Sequence, residues 1–268
     1  MPLTHRIEPN QAICLSSISA DGKHLAGSRK DAEKEFFKLR DELIEWQCKL
    51  YAQGKQSLLI VLQAMDAGGK DGSIRHLFKG VNPQGVQVAS FKAPTSTELS
   101  HDYLWRIHQE APGKGMIRIF NRSHYEDVLV VRVDNLAPEE VWQKRYEQIN
   151  HFEQLLAENR TTILKFYLHI SKDEQKQRFQ DRLDDPESHW KFSLQDLEKR
   201  KQWDDYMAAY EDVLNRCSTS WAPWYVIPAN QKWYRNLAIM KVIVHKLREM
   251  NPQYPPAEPG LHNVVIED

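Results

Sequence analysis

Residues 57–74 read Ser57-Leu-Leu-Ile-Val-Leu-Gln-Ala-Met-Asp-Ala-Gly-Gly-Lys-Asp-Gly-Ser-Ile74: a run of strand formers breaks into glycines and then reaches a lysine. An uninterrupted apolar run of this kind is typical of a central parallel strand that is buried on both faces. The glycines allow a tight turn. After it, backbone N–H groups converge at the amino end of the next helix, where the helix dipole favours negative charge. Lys70 adds a movable point charge. This stretch therefore predicts a strand–loop–helix unit that binds phosphate.

The loop departs from the general P-loop pattern G-x-x-x-x-G-K-[ST] at two positions. Ala64 stands where the first glycine is expected, and Asp71 stands where the pattern has the Ser or Thr that contacts magnesium. The Gly69-Lys70 pair is intact, and Asp66 lies inside the loop. A carboxylate there would repel a phosphate unless a metal or a proton bridges them. Asp66 is therefore a metal ligand, a base, or a surface residue of an ordinary strand-to-helix turn that binds no phosphate.

Strand and helix patterns alternate over most of the chain. Strand formers cluster at 58–63, 86–91, 116–120, 162–170 and 224–227. Apolar residues recur at helical spacing at 31–52, 73–80, 97–108, 138–158, 171–183, 194–216 and 232–250. Alternating strands and helices form parallel βαβ units with right-handed crossovers. The sequence therefore predicts an α/β protein with a three-layer α/β/α fold around a parallel central sheet.

Composition limits the class of protein. The chain has 268 residues, of which 41% are hydrophobic and 10% aromatic, and a formal net charge of −1. The apolar content is enough for a packed core, and the balanced charge argues against a protein that coats nucleic acid. Because of this charge balance we expect no nucleic-acid partner. No apolar run is long enough to span a bilayer, so we also expect no membrane partner. The three cysteines form no CxxC pair, which indicates a reducing, cytoplasmic location.

The chain divides into three segments. Residues 1–30 contain prolines, glycines and scattered serines, and predict an irregular N-terminal arm. Residues 31–250 hold all the strand and helix patterns and predict one domain. Residues 251–268 carry Pro255-Pro256 and Pro259-Gly260, and predict a loosely ordered tail.

A second polar segment, Asn121-Arg-Ser-His-Tyr-Glu-Asp127, follows the third predicted strand. In a doubly wound sheet, ligands bind beyond the carboxyl ends of the strands, so we expect this segment beside the phosphate loop. Arg122 could pair with phosphate oxygens in a fork, while Glu126 and Asp127 could hold a metal or position the phosphoryl acceptor. The alternative is a polar helix start, with Asn121 or Ser123 as the cap and Glu126 completing a capping box on Ser123.

The span 171–206 carries many charged residues of both signs. By composition it predicts two charged amphipathic helices. The turn-rich break Asp184-Asp-Pro-Glu-Ser-His189 suggests an alternative, a lid that swings Arg178 and Arg182 over bound phosphates. An arginine supplied to a phosphoryl-transfer transition state is worth on the order of a thousandfold in rate.

Three segments taken together resemble the second family of polyphosphate kinases: the loop at 64–74, the segment at 121–127, and the closing segment Trp221-Ala-Pro-Trp-Tyr-Val-Ile-Pro-Ala-Asn230. The resemblance covers about residues 31–250. It implies a P-loop kinase fold similar to that of thymidylate kinase, with a helical lid at about 178–206. It also implies an enzyme that uses Mg²⁺, or Mn²⁺ in its place, to move a terminal phosphoryl group between inorganic polyphosphate and a nucleotide.

The resemblance assigns roles by position. It implies that Asp66 binds metal and helps to activate the acceptor phosphate, that Lys70 is the P-loop lysine, and that Lys55 lines a polyphosphate channel. The predicted catalytic residues are Asp66, Lys70, Arg122, Glu126, Arg178 and Arg182. The predicted metal ligands are Asp66, Glu126 and Asp127. The predicted phosphate and nucleotide contacts are Lys55, Ala67, Gly68, Gly69, Lys70, Asp71, Gly72, Ser73, Arg75, Asn121 and Arg122.

One motif departs from the common family pattern. Many members carry Asp-Arg-Ser-Trp-Tyr where this chain has Asn121-Arg-Ser-His-Tyr125. Asn121 cannot supply that carboxylate, so metal binding would shift toward Asp66. The Asn and His variant resembles the class III subgroup, whose members accept both AMP and ADP. The resemblance thus implies reversible phosphorylation of AMP to ADP and of ADP to ATP, with guanine nucleotides as further candidate substrates, by a homo-oligomeric enzyme.

Two other functions remain open from the sequence alone. An ATP-dependent nucleoside monophosphate kinase on the same fold would carry the same kind of loop. A nucleotide-binding regulatory protein without turnover would also keep the loop, although the acids at Asp66, Glu126 and Asp127 argue against it. A nucleic-acid-binding role lacks both a basic stripe and a recognisable reading motif.

Overall fold

A central β-sheet organises residues 4–25 and 27–266, which the computed structural model describes. Its strands are β1 (His5–Arg6), β2 (Ser57–Gln63), β3 (Val86–Ser90), β4 (Ile117–Asn121), β5 (Thr161–His169) and β6 (Trp224–Pro228). Their spatial order is β1-β6-β5-β2-β4-β3. The strands from β6 to β3 run parallel to their neighbours, whereas β1 pairs antiparallel with β6. The predicted parallel sheet is confirmed, with one short antiparallel edge strand added by the N-terminal arm.

Helices cover both faces of the sheet. They are α1 (Arg29–Gln53), α2 (Lys70–Leu77), α3 (Ser96–Leu99), α4 (Trp105–Gln109), α5 (Val130–Val133), α6 (Glu139–Glu158), α7 (Lys172–Asp184), α8 (Leu194–Lys201), α9 (Trp203–Arg216) and α10 (Lys232–Met250). Helix α10 packs on α1 and α2, while α5 packs on α6 and α9. Right-handed crossovers place these two groups on opposite faces, because the chain moves from β2 to β3 in one direction and from β4 to β5 in the other. The predicted three-layer α/β/α fold is confirmed.

Strand β2 lies in the middle of the sheet, between β4 and β5. Every residue of Ser57–Gln63 is buried, as expected for a parallel strand covered by helices on both faces. The register pairs Leu62 with Asn121 of β4 and Gln63 with Tyr167 of β5. The three strands therefore run side by side to their carboxyl ends. The segments that follow β2 and β4 meet at this edge of the sheet, as the sequence predicts.

The α1–α10 pair is the largest helix contact of the fold. The Ser28 hydroxyl caps α1 by accepting a hydrogen bond from the N–H of Asp31 at 3.2 Å, and the helix ends at Gly54, whose φ of 59° is left-handed. The buried face of α1 consists of apolar residues at helical spacing, including Phe36, Leu39, Leu43 and Leu50. Burying one such side chain stabilises the fold by about 1.5–3 kcal/mol. This packing fixes α10, whose first turn reaches the carboxyl edge of the sheet.

Two of the predicted helices are divided in the structure. The pattern at 97–108 forms α3 and α4, because Thr95 and Glu98 close a capping box around α3 and the Asp102 side chain accepts a hydrogen bond from the N–H of Leu104. Such local side-chain bonds compete with helix continuation. The pattern at 194–216 forms α8 and α9, which meet at Gln202. Helix α8 has no buried residue, whereas α9 buries one face in the core, so the two helices have different environments.

The predicted irregular arm is more ordered than its composition suggests. Strand β1 and a 3₁₀ turn, Leu15–Ser17, lie within it, and both Ile7 and Leu15 are buried. The N–H of Leu15 donates a hydrogen bond to the Glu211 side chain of α9 at 2.8 Å. The arm is therefore held on the core by apolar burial and by hydrogen bonds to distant helices.

The domain boundaries at 30 and 250 and the lid at 178–206 stay predictions. Residues 1–3 and 26 of the predicted arm and residues 267–268 of the predicted tail lie outside the described residues. The lid span holds the end of α7, a 3₁₀ segment at Pro186–Lys191, and α8. Within residues 4–25 and 27–266, no helix combines the length and the apolar character needed to cross a membrane.

Candidate active site

The loop between β2 and α2 turns through two residues with left-handed backbone conformation. Ala67 has a φ of 60° and Gly69 a φ of 99°. This conformation costs a non-glycine residue about 1–2 kcal/mol, so Ala67 is a strained position. Gly69 precedes α2 and has no side chain to cap it, which leaves the N–H groups of the first helical turn open to an anion. The loop contacts predicted at 67–72 therefore share one turn at the end of the central strand.

Lys70 is buried at the base of this loop, with only 9% of its surface exposed. Its ammonium donates a hydrogen bond to the carbonyl oxygen of Ala64 at 2.9 Å. Burial and the Arg122 charge lower the pKa of Lys70 to about 8, against the opposing charges of Asp66, Glu126 and Asp71. The side chain is thus folded back on the loop, at the position from which a P-loop lysine reaches a phosphate.

Arg122 joins the two acids that the sequence assigned to metal or acceptor binding. Its guanidinium lies 2.7 Å from the Asp66 carboxylate and 3.2 Å from that of Glu126. Burial by itself would lower the pKa of Arg122, but the charges of Glu126 and Asp66 together raise it. The backbone of Arg122 is left-handed, with a φ of 61°. Strain of this kind clusters at functional sites, and here it directs the guanidinium toward the loop.

The two positions that depart from the motif patterns contact each other. The Asn121 amide donates a hydrogen bond to the Asp71 carboxylate at 2.5 Å. Asp71 stands at the Ser/Thr position of the general P-loop pattern, and Asn121 stands where many family members have aspartate. An aspartate at 121 would face the Asp71 carboxylate without a donor between them, so the amide suits this pair of loops.

The segment at 121–127 has part of the predicted helix-start geometry. Ser123 caps the 3₁₀ helix His124–Asp127 by accepting a hydrogen bond from the N–H of Tyr125 at 3.2 Å. Glu126 forms no capping box with Ser123; its carboxylate contacts Arg122 instead. The short cap therefore turns the chain so that Glu126 faces the loop.

Asp127 does not join the acids at the loop. Its carboxylate accepts a hydrogen bond from Arg145 of α6 at 3.0 Å. Burial raises the pKa of Asp127 to about 6, although the Arg145 charge opposes this shift. Successive residues of a tight 3₁₀ turn point in different directions, so Glu126 and Asp127 cannot both face the loop. The structure thus pairs Asp127 with Arg145, and the role of Asp127 as a metal ligand stays a prediction.

The remaining acids form a two-carboxylate pair. Within the described part of the chain, no group of three His, Cys, Asp or Glu side chains is arranged to hold a metal. Asp66 and Glu126 are nevertheless held at opposite sides of one guanidinium. Hard oxygen ligands from one or two carboxylates, completed by substrate phosphates, are the usual way in which proteins hold Mg²⁺ at phosphoryl-transfer sites. The pair fits that donor set.

Arg178 braces the loop and is not a free lid arginine. It is buried, and its guanidinium donates hydrogen bonds to the carbonyl oxygens of Ala67 at 2.9 Å, Ala229 at 2.6 Å and Asn230 at 3.1 Å. Its Nε also contacts the Glu174 carboxylate at 2.8 Å. Helix α7 begins directly after β5, so a residue two turns along it packs against the loop. The structure thus fixes Arg178 on the loop, and its predicted catalytic role stays a prediction.

Arg182, one turn further along α7, lies in the lid span. It donates a hydrogen bond to the carbonyl oxygen of Lys191 at 3.1 Å and lies 3.7 Å from the Asp196 carboxylate. These contacts join α7 to the 3₁₀ segment and to α8. Within the described residues, no hydrogen bond or ion pair joins Arg182 to the loop.

Three other predicted contacts differ in their placement. Lys55 is exposed and precedes β2 at the amino edge of the sheet, whereas the loop follows β2; a seven-residue strand spans about 20 Å. Arg75 is exposed on α2. Ser73 is buried on the same helix, and its hydroxyl has no hydrogen-bond partner within the described residues. The structure therefore separates Lys55 from the loop, and its predicted channel role stays a prediction.

Several side chains at the site were not singled out from the sequence. The Gln175 amide donates to the carbonyl oxygen of Asp66 at 2.9 Å, so it holds the loop from the same helix as Arg178. The three-residue spacing of Gln175 and Arg178 was a usable signal, because residues three apart share one helix face. Lys199 of α8 donates to the Asp134 carboxylate and to the Tyr206 hydroxyl, each at 2.9 Å.

A cleft opens between the loop, the 3₁₀ helix and α8–α9. Its lining combines charged, apolar and aromatic groups: Ala64, Met65, Asp66, Arg122, Glu126, Leu129, Val130, Lys199, Tyr206 and Tyr210. Arg122 and the two acids thus face tyrosines and aliphatic side chains across one cavity. The cavity has a volume of about 20 Å³, which is room for about one water molecule.

Known proteins are similar to this chain in sequence and in fold. The sequence model of polyphosphate kinase 2 matches residues 26–255. An AMP/ADP-polyphosphate phosphotransferase from Meiothermus ruber is 53% identical over 98% of this chain and 99% of its own. An ADP-polyphosphate phosphotransferase from Rhodopseudomonas palustris is 46% identical over 85% of this chain and 83% of its own. The crystal structure of polyphosphate kinase 2 from Arthrobacter aurescens TC1 superposes with a TM-score of 0.90, at 40% identity, over 98% of this chain and 97% of its own. The chain belongs to the polyphosphate kinase 2 family.

Proposed function

We propose that this enzyme transfers phosphoryl groups from inorganic polyphosphate to adenine nucleotides, converting AMP to ADP and ADP to ATP, and that it also runs in reverse. The observation that carries the proposal is the 53% identity, over nearly the whole length of both chains, to a relative named AMP/ADP-polyphosphate phosphotransferase. The residues at the loop are compatible with that chemistry.

The charges at the site suit a phosphoryl group in transfer. The open N–H groups of α2, the Lys70 ammonium and the Arg122 guanidinium lie around one loop. Phosphoryl transfer asks little covalent chemistry of a protein, so positioning and charge neutralisation supply most of the catalysis. In the ligand-free arrangement Arg122 is held by the two acids; an arriving phosphate gives its guanidinium an alternative, bidentate partner.

We infer that Asp66 and Glu126 hold Mg²⁺, with Mn²⁺ as an alternative, together with phosphate oxygens of the substrates. When bound, the metal supplies positive charge that offsets the repulsion between these carboxylates and the phosphates. The two carboxylates are held close together by Arg122, and both line the cleft. Asp127 is left out of this proposed pair, because its carboxylate contacts Arg145.

We infer that the acceptor nucleotide binds with its phosphates at the loop, beside Arg122. Guanine nucleotides are further candidate acceptors. A homo-oligomeric state and a cytoplasmic location complete the proposal; the free Cys14, Cys48 and Cys217 fit a reducing compartment.

The test is an assay without ATP. Purified enzyme is incubated with ADP, polyphosphate and MgCl₂, and ATP formation is followed over time; AMP and GDP replace ADP in parallel reactions. The proposal expects ATP from ADP and ADP from AMP. An ATP-dependent nucleoside monophosphate kinase would form no ADP from AMP and polyphosphate, and any ATP that it made from two molecules of ADP would form equally well without polyphosphate. A non-catalytic nucleotide-binding protein would form no product from any mixture. Asp66→Asn is the matched control, because it keeps the side-chain shape and removes the charge that the transfer needs.

A further inference from the structure

Arg235 is a buried arginine that forms no ion pair within the described residues. It lies in the first turn of α10 and is 2% exposed. Its Nε and Nη2 donate to the Asn236 side-chain oxygen at 3.2 and 3.0 Å. Within residues 4–25 and 27–266, no carboxylate forms an ion pair with it and no acceptor is recorded for its Nη1. Burial and the nearby Arg178 charge together lower the pKa of Arg235 to about 9.

The free Nη1 of Arg235 lies against the phosphate loop. A Cβ atom built on Gly69 would overlap with this nitrogen, would lie 3.0 Å from Cζ of Arg235, and would lie 3.5 Å from Nη1 of Arg178. A Cβ on Gly72 would lie 3.8 Å from Nη2 of Arg235. The guanidinium therefore packs directly on Gly69 and beneath the first turn of α2. Glycine at 69 serves two needs at once: the left-handed φ of 99° and room for this arginine.

The placement is unfavourable in the protein without a ligand. A buried charge without a counter-charge costs several kcal/mol even after relaxation. The amino end of α10 adds to that cost, because the helix dipole is positive there. Arg178 brings a second guanidinium to the same glycine. Arg178 is satisfied by three carbonyl oxygens and Glu174, whereas the described part of the chain offers Arg235 a single amide oxygen. An anion on the loop would supply the missing counter-charge.

We propose that Arg235 is a phosphate-binding residue of the loop, which supplies positive charge and the free Nη1 donor to the phosphate chain bound at Gly69. This inference rests on the proposed function, because it takes the donor polyphosphate to lie on the loop. It adds a cation from α10, the last helix of the domain, to the loop lysine and to Arg122. Arg235 destabilises the ligand-free protein and is stabilised when the polyanion binds.

The inference predicts two changes of opposite sign in Arg235→Met. Inorganic tripolyphosphate serves as the probe, in buffer with MgCl₂, with binding measured by calorimetry and stability by thermal unfolding. Without tripolyphosphate, the variant should melt at the same temperature as the wild type or higher, because an apolar side chain replaces an uncompensated charge. Its affinity for tripolyphosphate should fall about 10- to 100-fold, which corresponds to the loss of one hydrogen bond from a charged group. Arg235→Lys, which keeps the charge, should retain more affinity than Arg235→Met.

Arg248→Met is the control, since Arg248 lies on the same helix but pairs with Glu42 at the surface, 2.6 Å away. It should leave tripolyphosphate affinity unchanged. If Arg235→Met lowers the melting temperature or fails to fold, the arginine is a structural residue and the inference is overturned. It is equally overturned if Arg235→Met binds tripolyphosphate as tightly as the wild type. If the wild type itself binds no tripolyphosphate, the proposed function loses its donor site, and that failure is distinct from a failure of Arg235 alone.

Discussion

Lys165 and Arg235 are both buried cations, yet their surroundings differ completely. Lys165 in the middle of β5 is fully buried and donates three hydrogen bonds: to Glu153 at 2.6 Å, to the Tyr125 hydroxyl at 2.8 Å and to the carbonyl oxygen of Cys217 at 2.6 Å. Arg235 has one amide oxygen and no carboxylate within the described residues. The first charge is satisfied by the fold itself. The charge of Arg235 has no counter-charge in the described fold, and we infer that a ligand supplies it. The free-energy cost of burying this charge therefore lies at the functional loop.

The Lys165 network also supports the site from below. Glu153 of α6 accepts hydrogen bonds from Lys165 and from the Tyr125 hydroxyl, and contacts His124 at 3.1 Å. Burial by itself would raise the pKa of Glu153, but the Lys165 charge and the His124 contact hold it below its usual value. His124 and Tyr125 lie between Arg122 and Glu126 in the chain. The network therefore anchors the segment that carries both functional side chains.

The largest effect is expected when this network loses its cation. Lys165→Met should lower the free energy of unfolding by about 3–5 kcal/mol, because it leaves the Glu153 carboxylate buried without a counter-charge. Urea denaturation followed by circular dichroism measures the loss. The double variant Lys165→Met, Glu153→Leu should recover most of it, since a buried ion pair can be replaced by apolar residues at little net cost. If the double variant is no more stable than Lys165→Met, then Lys165 and Glu153 stabilise the fold by more than cancelling each other's charge.

A smaller effect is expected from the pH dependence of Lys70. Its folded pKa of about 8 lies below the unfolded value of 10.5, so between these pH values the unfolded chain binds one proton more than the folded one. Stability therefore rises with pH across this window, and the cost of the buried ammonium is fully present below pH 8. Between pH 8 and 10.5 the wild type should gain about 3 kcal/mol relative to Lys70→Met.

The measurement compares urea unfolding of the two proteins from pH 7.5 to 10.5. Lys79→Met, an exposed lysine just beyond the same helix, controls for the general effect of removing an ammonium group. Parallel stability profiles for the wild type and Lys70→Met would contradict the low pKa. Over the same window the wild type should also lose affinity for tripolyphosphate, because the loop lysine becomes neutral.

The backbone of the site was predictable, but several of its side-chain partners were not. The loop at 64–70 and the segment at 121–127 could be placed together because carboxyl ends of parallel strands share an edge, and the register of β2 and β4 confirms this. The assignments of Arg178 and Asp127 depended on which way a side chain turns within its own helix. Sequence spacing gives the helix face, but it does not reveal that Ala67 or Arg145 lies opposite.

Arg235 shows a different limit. It lies in a helix whose pattern was predicted with its observed bounds, at 232–250, but nothing in that pattern sets Arg235 apart from other charged residues. Its proposed role is inferred from the lack of a counter-charge within the described residues and from its contact with Gly69, which is far away in the chain. Both are properties of tertiary packing. A buried charge that the fold leaves unpaired can be recognised only after the core is known.

The smallest effect is expected from removing the N-terminal cap of α7, the helix that carries Arg178. The Ser171 hydroxyl caps α7 by accepting a hydrogen bond from the N–H of Glu174 at 3.1 Å, and the Asn230 side chain accepts one from the N–H of Ser171 at 3.0 Å. Ser171→Ala should cost about 1 kcal/mol of stability, the usual effect of removing a helix cap. Because Arg178 is fixed independently by three carbonyl oxygens, tripolyphosphate affinity should stay within about twofold of the wild type, well under the tenfold change that 1.4 kcal/mol would produce. A larger loss of affinity in calorimetry would mean that the cap, and not the carbonyl oxygens, positions Arg178 on the loop.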